Sequence, residues 1–198
     1  MDFLILGRAA MDAGADSDTP ELDEAHWSYL DAFADRMTAR GPTLSPDRQI
    51  WTGSLHVVDL PDLQAAEAFA ANDPYHRAGL FAEHLIRRFD NLLGRTMWDF
   101  PRRDDGLPFL VLADAHAHAH AAADLATARA TELATDLADR LVLRGTLRSP
   151  DGRVPTGAVL ALVASGPDAV RSLLADRPDL LGGPVPAQLH AWEFGGRR

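Results

Sequence analysis

Apolar and polar positions along the chain alternate between short apolar runs and stripes with a helical period. Residues 3–6, Phe-Leu-Ile-Leu, form an apolar run closed by Gly7, which has the length and flank of a buried strand. Small and acidic residues from 7 to 19 read as a loop. Thr19 then offers an N-cap, with Pro20 at the first helical position and acids in the first turn. Leu22, Ala25, Tyr29, Phe33 and Met37 follow at close to the helical period and predict one helix that runs to Gly41, with Arg36 and Arg40 in its last turn. Residues 42–47 read as a turn-rich connection, with a short extra strand near 42–44. Residues 50–58 predict a strand, and Asp59-Leu60-Pro61-Asp62 opens a second helix that buries Leu63, Ala66, Phe69 and Ala70. Asp73-Pro74 ends that helix, and residues 85–89 supply a further strand.

The same pattern is written twice. Residues 40–55 recur from Arg144 at an offset of 104 without a gap. Arg40/Arg144, Gly41/Gly145, Ser45/Ser149, Pro46/Pro150, Asp47/Asp151, Thr52/Thr156 and Gly53/Gly157 are identical. A repeat changes the unit that must be explained. The second copy predicts a strand at 109–112, a long Ala-rich helix to Leu143, a strand at 154–163, a helix at 168–175 and a last strand near 188–194. Each copy reads β-α-β-β-α-β, the order of a ferredoxin-like unit. Such a unit carries both helices on one face of its sheet, so two bare faces can meet in a barrel-like core. The expected organisation is therefore α+β: residues 1–100, a charged Pro/Gly-punctuated linker at 101–108, and residues 109–198, joined as an intramolecular pseudo-dimer barrel. A further homodimer is compatible with that arrangement.

The chain has 198 residues and a net charge of −10, which suits neither a nucleic-acid groove nor an anionic membrane surface. It has no cysteine, so thiol chemistry and disulfides are excluded. No apolar run has the length of a membrane span, and no signal peptide opens the chain, so a cytoplasmic protein is expected. His116, His118 and His120 alternate. On a strand they would share one face and could hold a metal, but on a helix they fan apart. They are read as a solvated helix start, and no metal or cofactor is assigned.

Two residues stand out as candidate chemistry. His26 shares the first helix's apolar stripe with Tyr29 and Phe33. Asp73 precedes Pro74, where a carboxylate caps a turn or orients an imidazole. His76 and His84 read as surface or strand residues, with His76 near a pocket mouth. Ala25-His26 with Leu30, Arg40-Gly41-Pro42, Thr52-Gly53-Ser54 and the run from Asn72-Asp73-Pro74-Tyr75 to Ala78-Gly79 and His84 resemble the YciI (YCII-related) family across nearly all of the first copy. The resemblance implies ferredoxin-like domains paired into α+β barrels and an active-site pair formed by a helix histidine and the Asp-Pro aspartate. Here these are His26 and Asp73, with Tyr75, Gly53 and Ser54 lining the pocket. One type of member eliminates HCl from a chlorinated ring without a cofactor. The second copy departs from the pattern: at the same offset, Ala130, Arg177 and Asp179 stand for His26, Asp73 and Tyr75. It is read as a built-in partner that completes the barrel and supplies one wall of the pocket. The expected function is a lyase or isomerase acting on a small aromatic or enone-like ligand by His/Asp proton transfer. A non-catalytic binding protein and a cofactor-free oxygenase are the other readings.

Overall fold

Leu4 and Leu6 point one way from the first strand, and Phe3 and Ile5 the other; all four are buried. That strand therefore has two covered faces, and the architecture follows from what covers each. The computed structural model describes residues 1–11, 19–101, 106–114, 137–183 and 186–196. In chain order the elements are β1 (Asp2–Ala9), α1 (Pro20–Asp31), β2 (Met37–Leu44), β3 (Trp51–Asp59), α2 (Leu63–Asn72), α3 (Pro74–Arg77) and β4 (Phe81–Asn91). β5 (Leu107–Asp114), β6 (Leu141–Arg148), β7 (Pro155–Ala164), α4 (Pro167–Asp176) and β8 (Ala187–Trp192) follow. The protein is a mixed α+β fold with one large antiparallel sheet.

The sheet closes into a barrel in the order β1-β3-β2-β8-β5-β7-β6-β4. Within the first four strands the neighbours run β4-β1-β3-β2, and within the last four β8-β5-β7-β6, so the two sets share one order. Pairings inside a set are long, such as the eight residue pairs of β5 with β7. The seams between sets are short: β2 meets β8 through Thr43↔Trp192 and Leu44↔Ala191, and β4 meets β6 through four pairs. Leu4, Leu6, Leu55 and Val57 meet Leu110, Leu112, Val159 and Ala161 in one apolar cluster inside the barrel, together with Trp192. Phe3, Ile5 and Val58 face outward and pack under Leu30 of α1 and Ala66, Phe69 and Ala70 of α2. Among the described residues no helix is long and apolar enough to cross a membrane.

Several sequence expectations are met by local chemistry. The Thr19 side chain accepts from Leu22 N at 3.2 Å and Pro20 takes the first helical position. Asp62 caps α2 through Ala65 N at 2.8 Å, and its buried face is Ala66, Phe69 and Ala70. The repeated Ser-Pro-Asp segments form matching hairpin turns. Ser45 Oγ accepts from Ile50 N at 3.0 Å, and Ser149 Oγ accepts from Val154 N at the same distance.

Three boundaries differ. α1 stops at Asp31 rather than running to Gly41; after a 3-10 turn at Ala34–Arg36 the chain is strand β2. Phe33 and Met37 fit a helical stripe, but Gly41 and Pro42 break helices, and pairing with β3 satisfies this backbone instead. Met37 still reaches the cluster of Leu30 and Phe3, now from a strand. Leu141–Leu143 likewise open β6 rather than ending a helix; residues 115–136, including the histidine run, lie outside the described residues. Finally, β5 begins at Leu107, two residues inside the expected linker, because Pro108 is tolerated in its pairing with Val163.

Candidate active site

His26 reaches the sheet because α1 lies across the outward face of β3, and Asp73 because α2 ends there. Asp73 sits between the two short helical segments, so Pro74 bars continuation and the carboxylate caps α3 by accepting from Tyr75 N at 2.9 Å. The same oxygen, Oδ1, accepts from His26 Nδ1 at 2.7 Å. Both side chains are almost wholly buried, His26 at 4 % and Asp73 at 2 % exposure. Capping and histidine orientation are thus one arrangement, not alternatives.

Tyr75 lies flat on His26, with ring centroids 3.9 Å apart and planes 4° from parallel. Its hydroxyl donates to the Asp23 carboxylate on α1. The imidazole is consequently held on an edge by Asp73 and on a face by Tyr75, leaving little rotational freedom. Burial would raise the Asp73 pKa. The hydrogen bond from His26, the charges of His26 and His56 and the Tyr75 N–H outweigh it and hold the carboxyl below its usual range. Tyr29, whose hydroxyl donates to Phe69 O at 2.8 Å, is pushed up to about 12, first by burial and then by the Asp73 charge.

His56 was not singled out by the sequence. It stands in an apolar strand run, Leu55-His56-Val57-Val58, and only the parity of its position betrays it: residues 54, 56 and 58 turn toward the helices. His56 lies 5.8 Å from His26, centroid to centroid, and burial pushes its pKa down to about 3 despite the opposing Asp73 charge. Arg40 was also misplaced, read as a charge at a helix end. On β2 it is buried and donates from Nη2 to Asp31 Oδ1 at 2.8 Å.

A cavity of about 610 Å³ opens between α1, α3 and the outward face of the sheet. Its walls include His26, Arg40, Trp51, Ser54, His56 and Tyr75. Asp73 stands behind His26, outside the lining. Phe194, Gly195 and Gly196 close one side, brought there as the chain leaves β8: Glu193 N donates to Pro42 O at 3.1 Å and Gly195 N to Arg40 O at 2.9 Å. Of the residues expected in the pocket, Tyr75 and Ser54 line it. Gly53 does not: it lies where β3 crosses β1, and a Cβ there would meet Gly7 O at 2.1 Å. His76 and His84 pair with each other at 4.9 Å, away from the lining.

Residues 1–90 are a YCII-related domain. A structural relative of this YCII-related domain is the 5-chloro-2-hydroxyhydroquinone dehydrochlorinase of Burkholderia phenoliruptrix AC1100, solved with 2,5-dihydroxybenzoquinone. That match has 28 % identity and a TM-score of 0.40, and covers 44 % of this chain and 92 % of that one. A "putative monooxygenase" from Lactobacillus acidophilus NCFM covers 97 % of this chain and 93 % of its own at 9 % identity and a TM-score of 0.56, which shows a shared fold alone. No curated protein matches the chain.

The half that follows the YCII-related domain carries different groups at the positions 104 residues on. His56 maps to Leu160 (56 + 104), Ser54 to Ala158, Asp73 to Arg177 and Tyr75 to Asp179. Leu160 is buried in the apolar cluster under α4, and Arg177 pairs with Asp179 at 3.4 Å. Ala130, the counterpart of His26, lies outside the described residues.

Proposed function

We propose that the protein is a cofactor-independent small-molecule enzyme of the lyase or isomerase type, in which His26 and Asp73 move a proton on a planar substrate held in the cavity. The observation that carries this reading is the buried His26–Asp73 bond of 2.7 Å behind an imidazole on the cavity wall. The bond occupies Nδ1, so Nε2 is the basic nitrogen. It takes a proton from an acidic carbon or hydroxyl, and Asp73 stabilises the imidazolium that results. Returning that proton to another substrate atom gives isomerisation; departure of a leaving group gives elimination. Trp27, Trp51 and Phe194 offer apolar walls for a ring, and the Arg40 guanidinium favours an oxyanion on it. Phenolic, quinoid and enone-like compounds combine those properties, and the resemblance to the YciI family supports the same class.

The chain outside this site is read as a degenerate second copy. Two ferredoxin-like units, 1–100 and 109–198 joined by 101–108, form an intramolecular pseudo-dimer barrel in which the first unit carries the His26–Asp73 pair and the second adds one wall of the cavity. The ungapped repeat, the matching Ser-Pro-Asp turns and the shared strand order support that reading. We place the enzyme in the cytoplasm, acting on a soluble ligand.

A panel of phenolic and quinoid compounds tests the function. Purified protein, free of added cofactor, is screened for ligand-induced rises in Tm, and compounds that stabilise it are followed for conversion by absorbance. At least one should both bind and turn over. A panel in which compounds bind and none is converted would leave a binding protein in its place.

A further inference from the structure

The proton-transfer scheme leaves one side chain at the site unused. His56 is 3 % exposed and lines the cavity 5.8 Å from His26, ring centroid to ring centroid. One donor atom each from His26, His56 and Asp73 lie within 4.8 Å of one another. We propose that these three side chains form a binding site for a divalent transition ion of the Zn²⁺ class.

Two imidazoles and one carboxylate are a donor set that such ions accept, with further positions open to water or ligand. Bonds of roughly 2.0–2.2 Å would set tetrahedral donors roughly 3.4 Å apart, between the present 2.7 Å of His26 and Asp73 and the 4.8 Å that bounds the group. Asp73 is held in place by the Tyr75 N–H at 2.9 Å. His26 and His56 both line the cavity, which gives an ion an entry path. Binding replaces the proton between His26 Nδ1 and Asp73 Oδ1, which leaves to solvent. A bound ion would therefore silence the pair as a base. The second half holds Leu160 and Arg177 at the matching positions and has no such donor set there. The proposal stands on the donor geometry and is independent of any reaction at the site.

The test is isothermal titration of chelator-treated protein with ZnCl₂, with Tm followed in parallel. His116, His118 and His120 are replaced by alanine throughout so that the histidine run contributes nothing. One equivalent of Zn²⁺ should bind saturably and raise Tm, while Mg²⁺ at the same concentration should do neither. His56→Phe, which retains an apolar-compatible ring, should weaken Kd at least tenfold. Asp73→Asn should do likewise, and it gives an independent reading if His56→Phe does not fold. Absence of saturable binding in the histidine-run background would overturn the proposal. So would a Kd unchanged by either substitution.

Discussion

At the residue scale, the site concentrates two electrostatic stresses that act in different pH ranges. His56 is neutral in the folded protein down to about pH 3 but protonates near 6.5 once unfolded. Its depressed pKa means that the unfolded state gains protons first, so stability present above 6.5 is lost as pH falls toward 3. Asp73 is also depressed, and its contribution is present above the ordinary value of 3.8 and lost below it. The wild type should therefore lose stability between pH 6.5 and 4 more steeply than His56→Phe, measured by urea unfolding at each pH. Parallel curves would remove His56 as the cause. Arg48 carries a stress of another kind. Its φ of 62° is left-handed, and its repeat counterpart is Gly152 at 77°. Arg48 holds the conformation because its guanidinium donates to Trp192 O and Pro108 O, both at 2.9 Å, across the β2–β8 seam. Arg48→Gly relieves about 1 kcal/mol of backbone strain but loses bonds worth about 0.5–1.5 kcal/mol each, so it should destabilise slightly. Arg48→Ala keeps the strain and loses the bonds, so it should be worse by about 1 kcal/mol in denaturant melts. The reverse order would contradict the seam role.

At the element scale, what the sequence disclosed and what it concealed have physical causes. Thr19, Asp62 and Asp73 are caps, and capping is local chemistry, so the starts of α1, α2 and α3 were legible. The end of α1 was not, since Phe33 and Met37 satisfy a helical stripe and a strand-borne cluster equally well. That ambiguity also hid Arg40, because a charge near a helix end needs no further explanation. His56 was concealed by its apolar neighbours, whereas His26 was visible through the residues around it that carry the family resemblance. The segment after β8 could not be read as a cavity wall, because its role depends on closure of the barrel. Gly41 makes that role testable: a Cβ there would sit 1.9 Å from Glu193 O. Gly41→Ala should push the Phe194–Gly196 segment from the cavity and destabilise the fold by about 1–3 kcal/mol, the range for overpacking. It should also weaken the Tm rise given by any cavity ligand. A variant with unaltered stability and ligand response would show that this segment does not wall the site.

At the scale of the whole molecule, the barrel interior and the cavity are separate places. The interior is filled by apolar side chains from both sets of strands, and the site lies outside it, under α1 and α3. A filled barrel is therefore no argument against an enzyme. The shared interior makes the halves depend on each other: residues 1–100 alone would expose Leu4, Leu6, Leu55 and Val57 together, a patch that monomers rarely carry. That fragment should sediment as a homodimer or fail to fold, and a stable folded monomer would argue against the common core. The division of labour between a chemical half and a scaffolding half is the central claim. Its most direct test is the conversion rate of a compound identified by the panel, compared between His26→Ala and Arg177→Ala. The account predicts a loss of about 10²–10⁴-fold for His26→Ala, the range for one acid–base group, with the fold retained. Arg177→Ala should leave the rate unchanged, since it removes only a partly exposed pair with Asp179. A His26→Ala protein that keeps its rate, or an equal loss in both variants, would contradict it.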